Sequence, residues 1–138
     1  MSTCIATPLR GPVSMRVPFT PASAGEVRHA LEAWLDSHGI DDSLRDDARL
    51  VVTELVGNAV RHASPLHNGS VLVRWRIDED LLMISVCDGG GDTVPERIEP
   101  RADAVDGRGL AIVEALCRTW WVERTSKMRA VHVRLGPA

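Results

Sequence analysis

The stretch from Ala48 to Ala63 narrows the choice of fold more than any other part of this chain. Ala48, Val51, Val52, Leu55, Val56, Ala59 and Ala63 recur at helical spacing and form a broad apolar stripe. Glu54, Asn58 and His62 stand four residues apart, so on a helix they stack turn above turn. At about 100° per residue, this polar column falls at the edge of the stripe and not opposite it. A surface helix normally turns its charges away from the core. Here a carboxylate, an amide and an imidazole lie where the helix leaves the core, the position of a pocket wall. A buried-edge helix with polar residues along its rim has the same pattern. The rest of the chain must decide between them.

Residues 1–12 contain Pro8, Gly11 and Pro12 without periodicity, and are expected to form a flexible N-terminal arm. Alternation over Val13–Val17 predicts a short strand stopped by Pro18. Ser23 and Glu26 suggest a capping box opening a helix, whose apolar positions are Val27, Ala30, Leu31, Trp34 and Leu35 and whose end is Gly39. Ser43 is expected to open the helix that carries the polar column, which stops before Pro65. Val71, Val73, Trp75 and Ile77 alternate with Leu72, Arg74 and Arg76, giving one apolar and one mostly charged face. A turn at Asp78-Glu79-Asp80 leads into Leu81–Cys87 and completes an antiparallel hairpin. Residues 88–107 gather glycine, proline and charge over a length unusual for a connection, and read as a mobile lid or ligand loop. A helix over Arg108–Cys117 and a second hairpin, Thr119–Arg124 with Ala130–Leu135, close the chain. Antiparallel strands mixed with a few helices predict an α+β fold. The expected form is a two-layer α/β sandwich, a mostly antiparallel sheet with helices on one face, as one domain over residues 13–136.

Composition excludes several classes. An apolar share of 44% with 25% charged residues is that of a folded globular chain, and 138 residues suit one core. A net charge of -3 without a basic run gives direct nucleic-acid binding no electrostatic support. Cys4, Cys87 and Cys117 are odd in number and lack CxxC spacing, which fits a reducing cytoplasm and neither a zinc site nor a disulfide frame. No apolar run approaches a membrane span, and the N-terminus lacks a signal-peptide pattern. The expected location is cytoplasmic, with no membrane role.

Three patches carry chemistry. Asp88 shares strand parity with Leu82, Ile84 and Val86, so if those face the core it does too. A buried carboxylate needs hydrogen-bond donors, and the amino group of adenine is one. An Asp turning out into a loop at a strand end is the bland alternative. Gly89-Gly90-Gly91 follows, a backbone able to approach a planar ligand closely. Asp106-Gly107-Arg108-Gly109-Leu110 opens the third helix, where free N–H groups and the helix dipole favour phosphate, although a hinge before a helix looks the same. No GxxxxGK[S/T] occurs, and the glycine spacing is not that of a dinucleotide fold. Taken together, Asp88 and Gly90 would take a purine, and the Gly107–Leu110 turn the phosphates. Asn58 would offer an oxygen to a magnesium ion and Glu54 would orient or deprotonate an attacking hydroxyl. His62 reads as a solvated residue at a helix end.

At these residues the chain resembles the GHKL (Bergerat-fold) ATPases. Glu54-Leu55-x-x-Asn58-Ala59-x-x-His62-Ala63 is similar to their N box, Asp88-x-Gly90 to their G1 box, and Gly107-x-Gly109-Leu110-x-Ile112-Val113 to their G2 box. Pro21–Val27, the spacing to the N box and Trp120-Trp121-Val122 point to the anti-sigma factor serine/threonine kinase branch, the RsbW-like and SpoIIAB-like proteins. The resemblance implies ATP and Mg2+ as cofactors, with Glu54 as catalytic base, Asn58 as magnesium ligand and Asp88 as the adenine-reading carboxylate. It implies nucleotide-loop roles for Gly90, Gly107, Arg108, Gly109 and Leu110. The implied partners are a sigma factor or an anti-anti-sigma (STAS) protein, and a second copy in a homodimer. Two departures bear on nucleotide affinity. Asp92 stands where a second G1 glycine is usual, and Met128-Arg129-Ala130 lacks the threonine hydroxyl common near the last strand.

Two functions follow from this reading. One is an ATP-dependent serine/threonine kinase acting as an anti-sigma regulator; the other is a nucleotide-responsive interaction module that transfers no phosphate. A histidine kinase catalytic domain fits less well, because the segment before residue 13 is too short for a phospho-accepting hairpin.

Overall fold

The computed structural model describes residues 10–90 and 107–136. Its elements run β1 (Arg10–Pro18), α1 (Ser23–Ser37), α2 (Asp42–His62), β2 (Ser70–Asp78), β3 (Leu81–Asp88), α3 (Gly107–Leu116), β4 (Thr119–Arg124) and β5 (Arg129–Leu135). The five strands form one sheet in the order β1-β2-β3-β5-β4, with every neighbour antiparallel. This is the expected α+β architecture.

Alternation along the strands builds the two faces. Val13, Trp75, Ile84, Val133 and Trp120 line up across all five strands, and Met15, Val73, Val86, Val131 and Val122 form the next row. These rows meet Val27, Leu31 and Leu35 of α1, Val51, Val52, Leu55 and Val56 of α2, and Val113 of α3 in one core. Each fully buried Val or Leu contributes about 1.5–3 kcal/mol relative to an exposed one. Residues of opposite parity, Arg74, Ser85, His132 and Trp121, occupy the other face of the sheet.

Three local expectations change. β1 begins at Arg10, which pairs with Ile77, and a register shift separates that pair from Val13. Ser23 does not cap α1: Ala22 holds the cap position without a side-chain bond, and the buried Ser23 hydroxyl donates to the Pro18 carbonyl at 2.6 Å. A buried hydroxyl takes the acceptor at hand, here the end of β1. Ser43 does not open α2 either. Asp41 does, its Oδ1 accepting from the Leu44 N–H at 2.8 Å. The turn between β2 and β3 places both Glu79 (φ 52°) and Asp80 (φ 70°) in the left-handed region, the twist a two-residue hairpin turn requires. Residues 1–9 of the expected arm, Cys4 among them, and residues 91–106 of the expected lid, Asp92 among them, lie outside the described residues.

Candidate functional site

The α2 helix carries Glu54, Asn58 and His62 on one edge, as the spacing predicts. Glu54 and Asn58 are half-buried beside the core residues Leu55 and Ala59, while His62 is exposed in the last turn. The Asn58 Oδ1 already accepts a hydrogen bond from the Arg61 Nη2 at 2.8 Å.

Two reciprocal backbone bonds tie the end of α2 to the end of β3. The Gly89 N–H donates to the Ser64 carbonyl and the Ser64 N–H to the Gly90 carbonyl, each at 2.7 Å. The chains approach so closely that a Cβ on Gly89 would lie 2.2 Å from the Pro65 oxygen. Glycine is therefore required at 89 by packing against the protein's own backbone. Gly90 is different: its φ of +80° selects glycine, and no atom of the described residues lies within 4 Å of where its Cβ would be. The segment that follows α2 and the Asp88-x-Gly90 turn are thus clamped together.

Asp88 sits at the end of β3 with only 1% of its surface exposed, on the face of Ile84 and Val86. Both carboxylate oxygens have donors. Oδ1 accepts from the Gly90 N–H at 2.7 Å, and Oδ2 from the Arg129 Nη2 at 2.8 Å. Arg129 lies directly across from Asp88 in the β3–β5 register. A buried carboxylate with this donor set is held as an acceptor at a fixed place. Next to it, burial and then the Asp88 charge push the Cys87 thiol above its usual pKa, so it stays protonated and inert.

The α3 helix begins at Gly107 and packs along α2. Its first backbone N–H groups have no partner within the helix, the general condition for receiving an anion. The side chains of Arg108 and Leu110 lie outside the described residues. Among the described residues, no group of three or more His, Cys, Asp or Glu side chains forms a metal cage. Asn58 is not thereby excluded, because magnesium commonly takes few protein oxygens and completes its shell with water and phosphate.

Sequence reasoning found Glu54, Asn58, Asp88 and Gly90 and missed their partners. Arg129 registered only as a missing hydroxyl, although a cation opposite a buried strand-end carboxylate was a usable signal. Arg61, three residues beyond Asn58, was within helical reach. The Ser64–Pro65 contact with Gly89 left no sequence mark beyond the glycine itself.

Comparisons with known proteins show the family and the fold. Residues 17–135 match the family described as the histidine kinase-like ATPase domain, and the chain belongs to that family. The serine-protein kinase RsbW of Staphylococcus aureus (strain JH9) is 29% identical over 117 residues, spanning 75% of this chain and 74% of that protein; the Newman strain protein aligns equally. The crystal structure of the RsbU and RsbW domains of Rv1364c from Mycobacterium tuberculosis superposes with a TM-score of 0.71 at 25% identity, covering 93% of this chain. The present chain spans 34% of that longer polypeptide. The histidine kinase domain of the Erythrobacter litoralis EL346 blue-light activated kinase shares the fold, with a TM-score of 0.55 at 20% identity over 87% of this chain and 61% of its own.

Proposed function

We propose that this chain is an ATP-dependent serine/threonine protein kinase acting as an anti-sigma regulator in the cytoplasm. In this reading it phosphorylates an anti-anti-sigma (STAS) partner, sequesters a sigma factor, or does both, and works as a homodimer. The observation that carries the reading is the buried Asp88 carboxylate, held by Gly90 and clamped to the end of the Glu54–Asn58 helix. Membership of the ATPase family and similarity to RsbW serine-protein kinases support it.

The residues present fit a nucleotide. Asp88 is a fixed acceptor for the amino group of adenine, and the open side of Gly90 leaves room for a flat ring. Gly107, Arg108, Gly109 and Leu110, at the N-terminus of α3, would offer backbone N–H donors to the phosphates. Bound ATP with Mg2+ supplies an activated phosphoryl group. Asn58 would hold the metal through its amide oxygen, which has a second lone pair besides the one that accepts from Arg61. Glu54, one turn earlier, accepts the proton of the partner's serine hydroxyl.

Incubation with ATP labelled at the γ-phosphate and a STAS-domain partner tests the reading. Label on a partner serine, abolished by Glu54→Ala, is the expected result. Nucleotide binding without any transfer would leave the second reading, an interaction module that responds to nucleotide. Both acceptors assigned to the ligand, on Asn58 and Asp88, also bond arginines of the chain itself, which bears on affinity in either reading.

A further inference from the structure

Asp88 and Arg129 form the most buried ion pair among the described residues. Arg45 meets Asp36, and Arg49 meets Glu32, at carboxylates whose side chains are 73% and 35% exposed, where water screens the attraction. The Asp88 carboxylate is 1% exposed and the Arg129 side chain 16%, so their attraction is screened far less. Exposure is unequal within the pair, which places solvent on the arginine side. The Arg129 side chain is the more exposed partner and its Nη2 is bonded to the carboxylate.

We propose that Arg129 gates the base subsite. In the nucleotide-free chain its Nη2 holds the Asp88 Oδ2, and a purine reaches the carboxylate only after the guanidinium swings off. The inference rests on the reading of Asp88 as a base acceptor, and adds the residue that sets how readily the acceptor is reached. Geometry supports the exchange. Oδ1 accepts from the Gly90 N–H and Oδ2 from the Arg129 Nη2, so an exocyclic amine that approaches Oδ2 meets the guanidinium at that oxygen.

The closed state is also imperfect. The Arg129 Nε is buried and has no hydrogen-bond partner, so the arginine leaves behind an unsatisfied donor when it moves out into water. An open conformer that regains hydration at Nε while a base replaces the Nη2 donor loses no hydrogen bond at Asp88. Arg129 thus raises the apparent Kd by the reciprocal of the fraction of chains that are open.

Titration of ATP with magnesium into wild type, Arg129→Met and Arg129→Lys tests the gate. Methionine keeps the unbranched stem and removes the guanidinium; lysine keeps a charge but not the fork. If about nine chains in ten are closed, the gate predicts a Kd about tenfold lower in Arg129→Met, with a faster association rate, and a smaller gain in Arg129→Lys. A purely structural ion pair predicts the reverse, since losing it would loosen the site and weaken binding. Should Arg129→Met fail to fold, Arg129→Lys carries the test alone. Wild-type binding with equal or weaker binding in the folded variants overturns the gate and leaves the nucleotide site standing. No binding by wild type or by either variant overturns both. Binding that appears only in the variants supports both.

Discussion

At the scale of single residues, the proposed base Glu54 and the proposed nucleotide-holding residues Asn58 and Asp88 should respond differently to substitution. Glu54→Ala is expected to retain ATP affinity within about twofold and lose phosphoryl transfer by a factor of about a hundred or more, the usual worth of a general base. Filter binding and transfer assays on the same preparation check this. A parallel loss of binding would mean that Glu54 builds the pocket and does not act on the hydroxyl. Gly89→Ala belongs to a different category. Its new methyl would meet the Pro65 carbonyl at 2.2 Å, backbone against backbone, so the α2–β3 junction must open. The expected cost is about 1–3 kcal/mol, read as a lower urea midpoint, with ATP affinity falling alongside. Gly90→Ala has space for its methyl but not the required φ, and should weaken the Asp88 turn with a smaller packing penalty.

At the scale of elements, α2 is both the centre of the core and the wall of the site. Leu55→Ala removes a core side chain of α2 and should cost about 2–5 kcal/mol in chemical denaturation. Asp41→Ala should cost about 0.5–2 kcal/mol by removing the cap on the Leu44 N–H, while Ser43→Ala should cost little. If Ser43 proved the costlier of the two, the assigned helix start would be wrong. This pair also shows what was legible in the chain. Periodicity revealed α1, α2 and every strand, because burial on one face is written in the residues themselves. Caps were misread twice, at Ser23 and Ser43, because several polar residues near a helix start compete and the neighbouring strand end decides which is used. Asp88 was legible as inward-facing by parity. Its partner was not, since Arg129 lies 41 residues away and is brought opposite only by the β3–β5 register.

At the scale of the whole molecule, one sheet face carries the helices, and the other leaves Trp121 36% exposed, stacked on His132 with the Arg134 guanidinium 5.0 Å from its ring. Burial between helix and sheet has a titration consequence. The Cys117 thiol is pushed up to about 12, chiefly by desolvation and then by the charge of Asp47. In the unfolded chain it ionises near the ordinary thiol value, so alkaline pH favours unfolding as the thiolate forms there first. Its contribution is full below about pH 8.5 and is lost as pH rises from there through about 12. The Tm advantage of wild type over Cys117→Ala should therefore shrink as pH is raised across that interval. A constant difference would mean that Cys117 ionises alike in both states.

The central claim is that Asp88, Asn58 and the α2 wall form one nucleotide site. Calorimetric titration of ATP into wild type and Asp88→Asn, each with and without magnesium and each checked for native circular dichroism, tests it most directly. The account predicts one saturable site in wild type, tightened by magnesium, and loss of binding in the folded Asp88→Asn chain. Undiminished ATP binding by folded Asp88→Asn would contradict it.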